Sequence, residues 1–211
     1  MRRILLKVVA ALATAVTTLA DVTLFTDRAQ FEASGSIIEN TNFDDMPQDI
    51  ITLDPLFSRG SVTYTAPQGI IVGTGQGFNN PRALIANNMW TPLTALVDTA
   101  AFQYNMLGFD AALLGAEAFG VDLSVTTSRG VYTVPISLNV GQPLSFYGVR
   151  ANYQGETITA FSLNVKTPTW GSAPAITAVT LGLAPVPEPQ MLAALSAAVL
   201  VTIGVSRRFS R

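Results

Sequence analysis

The chain contains no cysteine and no histidine, and only 12% of its 211 residues are charged. Without cysteine there are no disulfides, thiol nucleophiles or thiolate zinc sites. Without histidine, every catalytic constellation built on an imidazole base is excluded as well. Folding has to rest on apolar burial, and an apolar content of 49% suffices for one domain of ordinary size. No disulfide framework marks the compartment, which must be read from the chain ends.

The net charge of -2 conceals a segregation. Arg2, Arg3 and Lys7 stand at one terminus and Arg207, Arg208 and Arg211 at the other, which is half of the twelve cations. Between Asp21 and Pro185, six cations face thirteen carboxylates, a net charge of -7. Neutralising phosphates with Lys and Arg supplies most non-specific affinity for nucleic acid, so an acidic body is a poor nucleic-acid binder.

Met1 to Lys7 is cationic, Val8 to Val16 is apolar or small apart from Thr14, and Thr18-Leu19-Ala20 supplies small residues. That order is the layout of a secretory signal peptide over residues 1–20, with cleavage expected after Ala20 and Ala15 as the alternative. Near the other terminus, Ala184-Pro185-Val186-Pro187-Glu188-Pro189 cannot be helical, because alternating prolines fix φ and push their predecessors toward extended conformations. Met191 to Val205 follows without a charge. As a helix its fifteen residues span about 22 Å, short of a full bilayer core, although the flanking arginines can snorkel to the headgroups. Holding both cationic clusters on the cytoplasmic side places residues 21–185 outside.

Val186-Pro187-Glu188-Pro189, an apolar helix, and then Arg207 and Arg208 near the C-terminus resemble the PEP-CTERM sorting signal of Gram-negative bacteria. The resemblance implies recognition and processing by an exosortase after signal peptidase has acted. It also implies passage through the inner membrane to a cell surface or matrix rich in extracellular polysaccharide, as in a biofilm.

The body, residues 21–183, consists of short segments rich in Val, Ile, Thr, Phe and Tyr separated by Gly, Pro, Asn and Asp. Alternation is clearest at Val121, Leu123 and Val125 and at Phe161, Leu163 and Val165. Thr127-Ser128-Arg129-Gly130 reads as a hairpin turn. Asp27 to Ala33 reads as a short helix capped by Asp27 and stopped by Gly35. The expected fold is all-β, an antiparallel sandwich with that one helix, plus a signal helix and a hydrophobic helix at the termini. Phe25 to Phe31, Asn42 to Pro47, Leu107 to Asp110 and Ser145 to Val149 resemble elements of the jelly-roll-like ectodomains that often precede such tails. Where those domains tend to carry an Asp-Asn pair near their last strand, this chain has Thr177-Ala178.

Asp44 and Asp45 form the best acidic cluster, and carboxylates suit calcium, although two are only part of its six- to eight-oxygen shell. Gly73 to Gly77 lacks the following helix and lysine of a phosphate loop and reads as a connection between strands. Asp110, Glu117 and Asp122 are numerous enough for glycoside hydrolysis, but their spacing is not fixed by sequence. Aromatic rings stack on sugar faces. Trp90 and Trp170, in turn-like contexts, are the best such rings, ahead of Tyr104, Tyr147 and Tyr153. The expectation is a non-enzymatic surface protein with a structural or adhesive role near polysaccharide. A lectin-like module is the alternative, and a glycan-active enzyme a more distant one.

Overall fold

The structure is a computed structural model, and it describes residues 18–19, 22–46, 51–53, 55–73, 82–86, 92–114, 120–140, 143–166 and 173–185. Residues 1–17, within the expected signal peptide, the whole of residues 186–211, Trp90, Trp170 and Glu117 lie outside the described residues. Among the described residues no helix is long and apolar enough to cross a membrane.

In chain order the first strands are β1 (Thr18–Leu19), β2 (Val22–Phe25), β3 (Ser36–Asn42), β4 (Ile51–Leu53) and β5 (Leu56–Arg59). Next come β6 (Val62–Thr65), β7 (Ile70–Gly73), β8 (Ala83–Ala86), β9 (Leu93–Val97) and β10 (Met106–Leu114). The last are β11 (Val121–Thr127), β12 (Val131–Ile136), β13 (Ser145–Ala151), β14 (Ile158–Val165) and β15 (Ala173–Leu183). A single helix, α1 (Arg28–Ala33), completes the described elements.

The strands form two antiparallel sheets, so the chain is a β-sandwich. The first sheet has the order β1-β2-β13-β10-β15-β8-β7-β4, with β3 also on β15, and the second has the order β12-β11-β14-β9-β6-β5. β15 is long enough to serve two neighbours on one side: Ala178 to Leu183 pairs with β3, and Ala175 and Ile176 pair with β8. Between those halves a bulge buries Thr177, whose hydroxyl donates to the Asp110 carbonyl at 3.3 Å.

Alternation works as the sequence predicts. Val121, Leu123, Val125, Phe161, Leu163 and Val165 all face the interior. Across the midplane Phe109 of β10 stacks on Phe161 of β14, with centroids 5.4 Å apart. Thr127 N–H donates to the Gly130 carbonyl at 2.8 Å, closing the hairpin expected there.

α1 begins as expected, with the Asp27 carboxylate accepting from Gln30 N–H at 3.0 Å. Its end is at Ser34, whose hydroxyl donates to the Phe31 carbonyl at 2.7 Å. Gly35 answers a space requirement there: a Cβ on it would sit 2.8 Å from the Ala184 Cα and collide with the Met106 sulfur.

Short β4 and β5 were not expected, and β1 lies inside the predicted signal. β1 pairs Thr18 with Thr23 and Leu19 with Val22, so cleavage after Ala20 would remove it and cleavage after Ala15 would keep it.

Tyr64 is fully buried beside Phe43 and Phe57, at 5.7 and 6.2 Å between ring centroids. Burial, with the Glu39 charge adding to it and the Arg59 charge opposing it, pushes its hydroxyl above the range in which free tyrosine ionises. Above about pH 10 the unfolded chain loses this proton while the folded chain keeps it, so stability falls as pH rises further. The urea midpoint of wild type should therefore drop more between about pH 9 and about pH 11 than that of Tyr64→Phe. Equal drops would contradict this assignment.

Candidate functional site

The antiparallel registers bring the ends of β9, β11, β13 and β15 and the starts of β2, β10, β12 and β14 to one end of the sandwich. Three connections meet there and are stitched by backbone bonds. Ile158 N–H donates to the Tyr104 carbonyl at 2.7 Å, Ser128 N–H to Thr157 at 2.8 Å, and Ala151 N–H to Asn105 at 2.9 Å.

At the centre of this end lies Glu156, only 2% exposed. Its carboxylate accepts from the Thr127 hydroxyl at 2.6 Å, the Tyr132 hydroxyl at 3.4 Å and Tyr153 N–H at 3.4 Å. A buried carboxylate is tolerated only when donors replace its lost water, and here they come from three elements. Glu156 therefore ties two loops together. Above it Tyr153 and Phe102 are 38% and 45% exposed, and the Arg129 guanidinium lies 4.0 Å from the Tyr153 ring centroid. The sequence offered Tyr153 among five aromatic candidates, behind Trp90 and Trp170, but gave no sign of Glu156, whose hydroxyl donors lie 24 and 29 residues away.

The other rings divide cleanly. Tyr147 is structural, donating to the Ser137 carbonyl at 2.6 Å and accepting from Ser137 N–H at 3.0 Å. Tyr104 is buried, with its hydroxyl 3.1 Å from the Ser61 hydroxyl.

Asp44 and Asp45 occupy the turn after β3. Asp45 pairs with Arg59 at 2.6 Å, and the Asp44 carboxylate accepts from Arg82 N–H at 3.3 Å. Both carboxylates thus hold protein partners, and among the described residues no group of three or more acidic, His or Cys side chains is positioned for a metal ion.

Asp110 lies on the outer face of the first sheet, ion-paired with Arg28, whereas Asp122 lies on the outer face of the second, paired with Lys166 at 2.9 Å. The structure does not bring these two carboxylates across a cleft.

The chain leaves the sandwich at the same end that it enters. Just after β15, the buried Asn105 side chain accepts from Ala184 N–H at 2.7 Å and donates to the Ala184 carbonyl at 2.9 Å. One amide thereby mimics a strand partner and closes the body immediately before the proline-rich segment.

No protein-family model matches the chain, and no curated protein matches it. Among solved structures it is similar to an exo-β-agarase at 16% identity, over 75% of this chain, with a TM-score of 0.42. The chain spans 26% of the length of that agarase. It is also similar to family 29 carbohydrate-binding modules. One matches at 14% identity over 72% of this chain and 99% of its own, with a TM-score of 0.36. Another matches at 14% over 68% and 89%, with a TM-score of 0.34. At these scores no residue role is carried over.

Proposed function

We propose that this is an exported protein of a Gram-negative cell surface or extracellular matrix, sorted through its PEP-CTERM tail. Its sandwich has a structural or adhesive role beside extracellular polysaccharide and performs no turnover. The observation that supports this most is the shared exit. Val22 opens β2 and Ala184 closes the body at one end, so a body tethered by its tail turns that end toward the membrane. The far end and the outer face of the second sheet are then presented outward.

The linker fits the same reading. From Ala184 to Pro187 the chain advances only three residues, about 10 Å if extended like polyproline. On this reading Pro187-Glu188-Pro189 is the element that a membrane-embedded processing enzyme recognises. Arg207 and Arg208 hold the far end of the apolar segment on the cytoplasmic side.

Mass spectrometry of the mature protein from its native host tests this. The expected product begins after the signal and ends near the Pro-Glu-Pro element. A chain still ending at Arg211 in the outer fraction would contradict sorting by cleavage.

A further inference from the structure

Among the described residues no helix lies on the outer face of the second sheet, whereas α1 packs on β2, β3 and β13 of the first. Across its six strands the registers align Thr133, Ser124, Ser162, Thr94, Thr65 and Leu56 in one row. The adjacent row is Val131, Thr126, Ala160, Leu96, Thr63 and Ser58. Each residue alternates with a neighbour that faces the interior, so both rows point outward.

Neither row contains an ionisable side chain, although the body carries a net charge of -7. Among the described residues charge appears at the margins, where Asp122 pairs with Lys166 at 2.9 Å and the exposed Asp98 follows β9. Solvent faces of antiparallel sheets ordinarily carry charges, which keep them soluble and discourage association. A face of hydroxyls and methyls is therefore selective about what it accepts.

Nucleic acid and anionic membranes need cations, and these rows have none. The aromatic and Arg anchors that dominate protein interfaces are missing. Leu56, Leu96 and Val131 are 61%, 46% and 64% exposed, but they stand on separate strands and make no continuous apolar patch for a second copy. What remains complementary is an uncharged, hydroxylated polymer.

We infer that the outer face of β12-β11-β14-β9-β6-β5 binds neutral polysaccharide, laid across the strands. Threonine offers a hydroxyl and a methyl side by side, as a sugar ring offers O–H and C–H groups. Six strands at about 4.8 Å spacing make a track of about 24 Å. Single hydroxyl contacts exchange with water at little net gain, so binding depends on many of them along one chain. Two hydroxyl pairs, Ser58 with Thr63 at 2.8 Å and Ser124 with Thr133 at 2.9 Å, already fix each other's rotamers. This inference rests on the adhesive reading of the body but not on tail processing, so a correctly processed chain that binds no glycan would overturn it alone.

The full-length protein in zwitterionic detergent is run in native gels containing dextran, glucomannan, a soluble β-glucan or alginate. At least one neutral polymer is expected to retard it, and alginate less. Thr94→Lys with Ser162→Lys, which puts two ammonium groups at the centre of the track, should weaken retardation about tenfold. Thr94→Ala with Ser162→Ala should weaken it in the same direction, and Thr94→Ser with Ser162→Thr should preserve it, near-UV circular dichroism showing each variant folded. No retardation by any neutral polymer, stronger retardation by alginate, or retardation indifferent to the lysine pair would each overturn the inference. So would a dimer that the lysines dissociate, which would assign the face to a second copy.

Discussion

Replacing Phe31 with alanine is expected to destabilise the fold by about 3–5 kcal/mol, the range for emptying a buried aromatic site. Phe31 is the only buried residue of α1 and is fully inaccessible. It lies between Phe25 and Phe146, at 5.8 and 5.5 Å between centroids, and over Gly108 and Gly148. Those glycines make the floor: a Cβ at Gly108 would sit 2.8 Å from the Phe31 ring, and one at Gly148 would overlap it. A helix of six residues has little stability of its own, so its attachment depends on this ring and on Arg28, which pairs with Asp110 and lies 4.4 Å from the Phe146 centroid. Gly148→Ala alone should cost about 1–3 kcal/mol by overpacking. Together, Phe31→Ala and Gly148→Ala should cost less than their sum, since the cavity left by the ring accepts the new methyl. Urea denaturation of the three variants decides it, and strict additivity would mean that Phe31 does not pack on Gly148.

Much of this architecture is legible in the sequence because local preference and tertiary demand agree there. In β11 and β14, β-branched and apolar residues alternate with polar ones in segments buried on one face. The Asp27 cap and the hairpin at Gly130 depend only on neighbours within a few positions. Disagreement arises where pairing overrides composition. Phe102 to Asn105 has the aromatic character of a strand, yet β10 begins at Met106 and runs through Ala111, Ala112 and Leu113 instead. Those small residues are strand because β15 pairs along their whole length, with β13 supplying partners as far as Ala111. β5 follows Asp54-Pro55, which reads as a turn, and is only four residues long.

The candidate site was less legible for the same reason. Glu156, in Gly155-Glu156-Thr157, has the surroundings of a solvated turn, while its hydroxyl donors Thr127 and Tyr132 come from 29 and 24 residues away. Ser124 and Thr126 are visibly outward in β11, but the two hydroxyl rows exist only through five strand pairings, one containing a bulge between Thr126 and Thr127. Asp44 and Asp45 read as an acidic pair in a turn, whereas their partners Arg59 and the Arg82 backbone N–H come from distant segments and are not legible locally.

Asn105→Leu is expected to cost about 2–6 kcal/mol, because each buried group left unpaired costs about 1–3 kcal/mol and two are orphaned. Both belong to Ala184: the N–H that donates to the side-chain oxygen and the carbonyl that accepts from the side-chain nitrogen. The Asn105 backbone contributes separately, donating to the Gly182 carbonyl at 3.2 Å and accepting from Ala151 N–H at 2.9 Å, and leucine leaves those bonds in place. The damage should therefore be local. Leu183 and Ala184 lose their lock and β15 frays from its end, while Phe109 and Phe161 at the midplane remain packed. Hydrogen exchange should show protection falling most at Ala184, beyond what the global loss of stability explains. A fall shared evenly by all strands would show that Asn105 acts through general packing. In the proposed pathway, fraying adds the released residues to the segment before Pro187, and proteolysis at Leu183 and Ala184 should rise with it.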